Sequence, residues 1–332
     1  MPEYFTNKSS LNLSHPQKLP TSLRSHWDKD RDENCSRELD FLFWIVNGFI
    51  GVVILLGNSL TCAAFLRFEN LRRSYMNQFL LSLAVCDILM AVLVTPGYAA
   101  FCVGCTYTLT EFCWVFEGGK DICFLASTFN LLAISYDRYL AIYHPLRYQT
   151  RMSRKTIAVI LSAVWITPVS LASLRNIWSH AQPGDVVEEW NRIYSYSLLF
   201  IFVIVPIVIV SLINIAILVS VQKQRQKITV LNSKNDTGKH RRKQYLQIHK
   251  GTLSCVLVVI TFVFCWIPRA FYYIFYLFNR PELVTPLLRK LSVTFLLFQS
   301  STNPLIYSFY RREFRQALKI LIKCKQNSPS SR

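Results

Sequence analysis

Charge is scarce in this chain of 332 residues: Asp, Glu, Lys and Arg make up 17% of it, against 52% hydrophobic and 14% aromatic residues. A soluble chain of this length needs more polar surface, and a mean hydropathy of +0.27 agrees, so the composition points to a membrane. Acidic residues are the rarer sign, 19 against 37 Lys and Arg, which leaves a net charge of +18. Such an excess can signal nucleic acid. Here the Lys and Arg crowd short stretches between apolar runs and form no soluble basic domain, so no nucleic-acid partner is expected. Met1 to Asp40 lacks the apolar core of a cleavable signal, and the first apolar run is expected to serve as its own uncleaved signal. His-Glu-x-x-His and Gly-x-Ser-x-Gly are both missing, and the six His residues are scattered, so an enzyme is not expected. No repeat is long enough to indicate a repeat-built transporter.

What the chain does have is apolar length. Seven segments, roughly 41–66, 76–101, 111–141, 156–175, 194–220, 251–277 and 287–308, reach the ~20 residues of a bilayer-spanning helix. They predict an all-α membrane protein, a seven-transmembrane helix bundle. It divides into an outer tail (1–39), a membrane domain (40–310) and an inner segment (311–332). The links after the first, third and fifth segments carry Arg72-Arg73, Arg147 to Lys155 and Lys223 to Lys250. The other links are poorer in Lys and Arg, apart from Arg280, Arg289 and Lys290, so the N-terminus is expected outside. Asn7, Asn12 and Asn34 each open an Asn-x-Ser sequon and are glycosylation candidates there. Residues 176–193 read as an outer loop and 222–247 as an inner one, whose basic residues suit acidic partners or membrane lipid. From Phe309 to Lys323 basic and apolar residues alternate as in an amphipathic helix lying on the inner leaflet. Cys324 follows as a palmitoylation candidate, or as an ordinary free thiol.

Polar groups inside the apolar segments carry the functional signal, because an ionisable side chain at membrane depth is costly to keep. Asn58 follows Gly57 in the first segment, Asp87 lies in the second, and Lys120-Asp121 in the third. The third segment ends in Asp137-Arg138-Tyr139. The sixth contains Phe262-Val263-Phe264-Cys265-Trp266-Ile267-Pro268, where Pro268 frees a carbonyl one turn earlier and bends the helix into a plausible moving element. The seventh ends in Asn303-Pro304-Leu305-Ile306-Tyr307.

These motifs, in this order and on these helices, resemble those of the rhodopsin-like (class A) G-protein-coupled receptors, with a distant similarity to the biogenic-amine receptors. Trp165 and Pro206 also fall on family positions. The resemblance implies a plasma-membrane receptor for an extracellular ligand, coupled to heterotrimeric G proteins. Its activation switch comprises Asp137, Arg138, Tyr139, Phe262, Trp266, Pro268, Asn303, Pro304 and Tyr307. Asn58, Asp87, Ser127 and Asn303 would line a polar pocket where Asp87 holds a sodium ion; the alternative is a polar network without an ion. No other cofactor is implied. The remaining function classes are a receptor-like scaffold or decoy without signalling, and a transporter using Asp87, Asp121 and Lys120.

The chain departs from the family in three places. The resemblance implies a disulfide from Cys113 to the second outer loop, but 176–193 holds no cysteine; Cys35, Cys102 and Cys105 stay open as partners. The other cysteines read as buried hydrophobes. Asn214 stands where most relatives have a Tyr, and Ile248 where many have an acid facing the Arg of the triplet. Arg138 is therefore expected to be held mainly by Asp137, with some ligand-independent signalling. Lys120 replaces the amine-pairing Asp, Leu198 and Phe202 replace helix-five hydroxyls, and Arg269-Ala270 replaces an aromatic pair; Val293 and Leu297 are what helix seven offers. An ordinary amine pocket is not expected. The candidate ligand pocket is Lys120, Asp121, Phe124, Trp266, Arg269, Tyr272 and Tyr273. Lys120 and Arg269 either form an anion site or pair internally with Asp121 or Glu117, and internal pairing is the expectation because unpaired buried charge costs several kcal/mol.

Overall fold

The computed structural model describes residues 37–102, 113–181, 184–231, 236–278, 280 and 283–326, and among them no residue lies in a β-strand. The helices are α1 (Arg37–Arg67), α2 (Tyr75–Leu89, continued by a π-helical Met90–Cys102), α3 (Cys113–Tyr143) and α4 (Arg154–Ala181). Next come α5 (Gly184–Ser197, a π-helical Leu198–Ile204, then Val205–Leu231), α6 (Asp236–Leu277), α7 (Pro286–Tyr310) and α8 (Arg312–Gln326). Short helical turns at Glu69–Arg72 and Tyr148–Arg151 link α1 to α2 and α3 to α4.

The chain folds as a seven-helix bundle. α1, α2, α4, α5 and α6 contain spans long and apolar enough to cross a membrane by composition alone. α3 and α7 complete the bundle, and their greater polarity reflects position: α3 touches α2, α4, α5 and α6, while α7 packs on both α6 and α1 and so closes the ring. α3 buries Asn130, Ser135 and Asp137, and α7 buries Gln299, Ser300 and Asn303, residues that lipid would not tolerate. Leu, Ile, Val and Phe face outward instead, among them Phe49, Leu56, Ile166 and Leu212, each more than half exposed. Such an inverted surface suits hydrocarbon.

Proline shapes the backbone where the sequence places it. Pro96 cannot donate to the carbonyl of Val92, nor Pro206 to that of Phe202, and π-helical turns accompany both. Pro304 likewise orphans the carbonyl of Ser300, but here α1 supplies the donor: Asn58 Nδ2 reaches Ser300 O at 3.2 Å. Gly57 allows that approach, since a Cβ there would stand 3.0 Å from Pro304 Cγ. At the N-terminal end of α7, Thr285 Oγ1 accepts the Leu288 N–H at 3.1 Å with Pro286 next to the cap.

Two expected loops are largely helical. Of 176–193, α4 takes residues through Ala181 and α5 begins at Gly184; of 222–247, α5 extends to Leu231 and α6 starts at Asp236. Polarity there marked exposure, and an exposed helix needs no apolar face toward lipid. With 42 residues, α6 is about 63 Å long against a hydrocarbon core of ~30 Å, so it projects well beyond the membrane. α8 forms as the alternation predicts: Phe314 and Ala317 are buried while Arg312, Glu313 and Arg315 are exposed. Phe314 meets Phe65 at 5.7 Å and Tyr307 at 6.1 Å between ring centroids, which anchors α8 under α1 and α7.

Candidate functional site

Three polar layers run through the bundle. Near the C-terminal end of α3, Asp137 is fully buried. Arg138 Nε donates to Asp137 Oδ2 at 3.0 Å, with a second guanidinium nitrogen on the same oxygen. The other carboxylate oxygen accepts the Tyr148 hydroxyl at 2.7 Å. Burial, and then the adjacent Asp137 charge, push the Tyr148 phenol up from its ordinary value, so it remains a donor at physiological pH. Asp137 is thus held from two sides, one of them the short helix after α3, whereas sequence reasoning gave it Arg138 alone. Tyr139 stands apart from this cluster, stacked on Tyr143 at 4.9 Å and edge-on to His144 at 5.9 Å. Asn214 fastens α5 to α3 through Ser135 Oγ at 2.8 Å. The side chain of Ile248 lies outside the described residues. Arg311, at the elbow between α7 and α8, is also buried, and burial lowers its pKa.

At mid-depth Asn303 Nδ2 donates to Asp87 Oδ2 at 2.8 Å, and the Ser300 hydroxyl faces the same carboxylate. Asn58 completes this group through Ser300 O. The second oxygen of Asp87 and the amide oxygens of Asn58 and Asn303 are buried without a hydrogen-bond partner. One carboxylate oxygen and two amide oxygens so left are a donor set that a small hard cation fits. Ser127 lies beside this group but is 3.3 Å from Cys86 Sγ, so its hydroxyl is engaged with α2. Ser300, missed by sequence reasoning, is a plain serine with no local signal. Tyr307 is buried one turn further in, and its hydroxyl also lacks a partner.

The third layer, at the opposite end of the bundle from Asp137, is a narrow cleft with room for about 20 Å³, partly open to solvent, lined by Lys120, Asp121, Phe124, Leu198, Trp266, Arg269 and Tyr273 among others. Lys120 Nζ lies 3.5 Å from Asp121 Oδ1. Arg175 of α4 approaches the other oxygen at 3.3 Å, a partner the sequence did not suggest. Arg269 sits over the rings of Tyr272 and Tyr273, 4.6 and 4.8 Å from their centroids, and donates to the Tyr273 hydroxyl at 3.2 Å. Tyr272 backs Arg269 and does not line the cleft. Phe124 meets Trp266 edge-on at 5.6 Å, and Phe262 lies 6.0 Å from Trp266 on the inner side. Pro268 lies within α6 two residues after Trp266, so the cleft floor and the proline share one stretch of helix.

The sequence has counterparts among known proteins. The model of the 7 transmembrane receptor (rhodopsin family) matches residues 57–307. The chain belongs to that family of seven-transmembrane receptors. Its relatives include the D(1) dopamine receptor of Carassius auratus, 31% identical over 85% of this chain and 89% of that protein. The D(1A) dopamine receptor of Didelphis virginiana is also 31% identical, over 89% of this chain and 77% of its own. For the D(5)-like dopamine receptor of Takifugu rubripes the identity is 31%, over 84% of this chain and 66% of that protein's length. Members of the rhodopsin family are receptors and not enzymes, and with the apolar helices they identify a multi-pass plasma-membrane protein.

Several expectations fall outside what the structure describes. Asn7, Asn12, Asn34, Cys35 and Cys105 lie outside the described residues, as do the side chains of Cys102, Cys113, Glu117 and Cys324. Cys86, Cys123, Cys255 and Cys265 are buried free thiols and Cys62 is a half-buried one. Among the described residues no cluster of three His, Cys, Asp or Glu is placed to hold a metal ion.

Proposed function

We propose that this receptor binds an extracellular ligand other than a simple amine in the cleft above Trp266 and activates heterotrimeric G proteins at the inner face, with its N-terminus outside. The contact between Phe124 and Trp266 carries the reading, because both rings line the cleft while Trp266 belongs to the helix that contains Pro268. A ligand pressing on that pair favours an arrangement of α6 that the Arg138-paired form does not share. The effect is a population shift set by differential affinity. Outward movement of α6 then frees Arg138 from Asp137 to meet the G protein. The relatives are named for dopamine, whereas Lys120 and Arg269 put two buried cations on this cleft and so oppose a protonated amine.

Asp87, with Asn58, Ser127 and Asn303, is the proposed sodium pocket, supported by the orphaned oxygens at its centre. A bound sodium ion supplies a compensating positive charge there. Dependence of the melting temperature on sodium over potassium, lost in Asp87→Asn, is the expected signature; equal shifts in both proteins would remove the proposal.

Basal G-protein activation in cells tests the main reading. Wild type is expected to signal without added ligand, and Arg138→Ala to be silent at equal surface level. Lys120→Ala is expected to raise the baseline by releasing Asp121 to Arg175 alone. Equal basal output from wild type and Arg138→Ala would instead favour a non-signalling scaffold.

A further inference from the structure

The elbow between α7 and α8 buries a charge that the Asp137 cluster does not neutralise. Arg311 is 9% exposed, and its Nη1 atom is buried without a hydrogen-bond partner. Among the described residues Arg311 has no ion-pair partner, and Glu313, two residues on, is exposed and acts on it only at a distance. The other charged or polar groups that act on it are Cys255 of α6, Arg138 of α3 and Tyr307, one turn back in α7. The Tyr307 hydroxyl is buried and orphaned as well. Cys255 is 3% exposed and lies within electrostatic reach of both guanidinium groups, while its thiol meets Met76 Sδ of α2 at 3.8 Å. Cys255 thus packs α6 against α2 beside two cations. The carboxylate of the cluster, Asp137, is already taken up by Arg138 and Tyr148.

We propose that Arg311 is a built-in bias against the Arg138-paired form, a buried cation that this form excludes from water and that movement of α6 hydrates. The inference rests on the outward movement of α6 proposed above. An arginine does not shed its proton in a protein, so the cost of burying it falls on the arrangement that buries it. Arg138 adds like-charge repulsion to that cost. When α6 carries Cys255 away, water reaches Arg311, supplies a partner for Nη1 and screens the two cations from each other. Both costs then lapse, and the equilibrium between the two forms moves toward the open one. An arginine that only filled space at the elbow would stabilise both forms alike. The orphaned Nη1 and the cation across Cys255 are what such packing leaves unexplained.

The test measures ligand-free nucleotide exchange at equal surface level and the melting temperature of the full-length receptor in detergent. Arg311→Met keeps an unbranched apolar chain and removes the charge. It is expected to lower basal exchange by about 5-fold, the weight of one buried donor left unmade. It should also raise the melting temperature, because an apolar residue replaces an unpaired buried charge. Arg311→Lys keeps the charge and should stay near wild type. Cys255→Asp sets a carboxylate beside both guanidinium groups and is expected to lower basal exchange by about 10-fold, whereas Cys255→Asn, of the same shape without charge, is not. In the Arg311→Met background the effect of Cys255→Asp should shrink. A melting temperature of Arg311→Met equal to or below wild type would overturn the proposal. So would basal exchange in Arg311→Met that matches or exceeds wild type, or equal effects of Asp and Asn at Cys255, provided that wild type signals above Arg138→Ala. If all proteins instead lie at the Arg138→Ala floor, the G-protein reading fails and the melting temperature alone decides: a rise in Arg311→Met supports the bias, and no rise removes it.

Discussion

Replacing Tyr148 by Phe removes a single hydroxyl from the inner cluster and should raise basal signalling. That hydroxyl donates at 2.7 Å to Asp137 Oδ1, and Arg138 occupies the other oxygen. A hydrogen bond to a charged group is worth ~1.5–3 kcal/mol. Tyr148 is only partly shielded from solvent, so the lower end applies, about 1–2 kcal/mol. Because the bond orders Asp137 as Arg138 finds it, its loss falls on the paired form and much less on a form in which Arg138 has left. The ratio of the two forms then shifts by about 5–30-fold. Nucleotide exchange on a co-expressed G protein, measured without ligand and normalised to surface level, reads this directly, with Arg138→Ala as the floor. Phe keeps the ring, so packing against the core is retained. Basal exchange equal to or below wild type would refute the reasoning: Tyr148 would then stabilise both forms alike, or restrain Asp137 in a way that weakens its hold on Arg138.

Other consequences follow from single contacts. Asn58→Leu leaves the Ser300 carbonyl buried without a donor and should cost ~1–3 kcal/mol, read as a lower melting temperature of the detergent-solubilised receptor. Gly57→Ala should also lower it, by forcing α1 from Pro304 by a few tenths of an ångström, and an unchanged melting temperature would mean that α1 shifts freely. Lys290 pairs with Asp40 at 2.8 Å with both side chains at most 10% exposed, so Lys290→Met alone should cost ~3–5 kcal/mol. Adding Asp40→Leu should recover much of that loss, and strict additivity of the two changes would show that the pair does not interact. Tyr148 retains its proton to higher pH in the folded protein than in the unfolded chain, which releases it near pH ~10. Stability should therefore be indifferent to this group between pH 6 and 8 and fall as pH rises past ~10, and the fall should be shallower in Tyr148→Phe in a pH series of melting curves.

The seven apolar segments, the positions of the prolines and the amphipathic stretch after Tyr307 were legible in the chain because hydropathy and backbone chemistry act over a few neighbouring residues. So were Asp87, Asp137 and Lys120, since a charge inside an apolar run announces itself without any knowledge of its surroundings. Partners were a different matter. Asn303 reaches Asp87 across 216 residues and Asn58 reaches Ser300 across 242, and no local pattern encodes which way two distant helices are rotated toward each other. Tyr148 and Arg175 were missed for the same reason: a tyrosine in a polar link and an arginine near a helix end look ordinary until packing sets them against Asp137 and Asp121. The helical extents of α5 and α6 were misjudged because hydropathy reports where a helix meets lipid, not where it stops. Composition thus determined that the chain lives in a membrane as seven helices. Only the packed bundle decided that Arg175 meets Asp121 and Lys290 meets Asp40, because that depends on separations of about 3 Å between groups far apart in the chain.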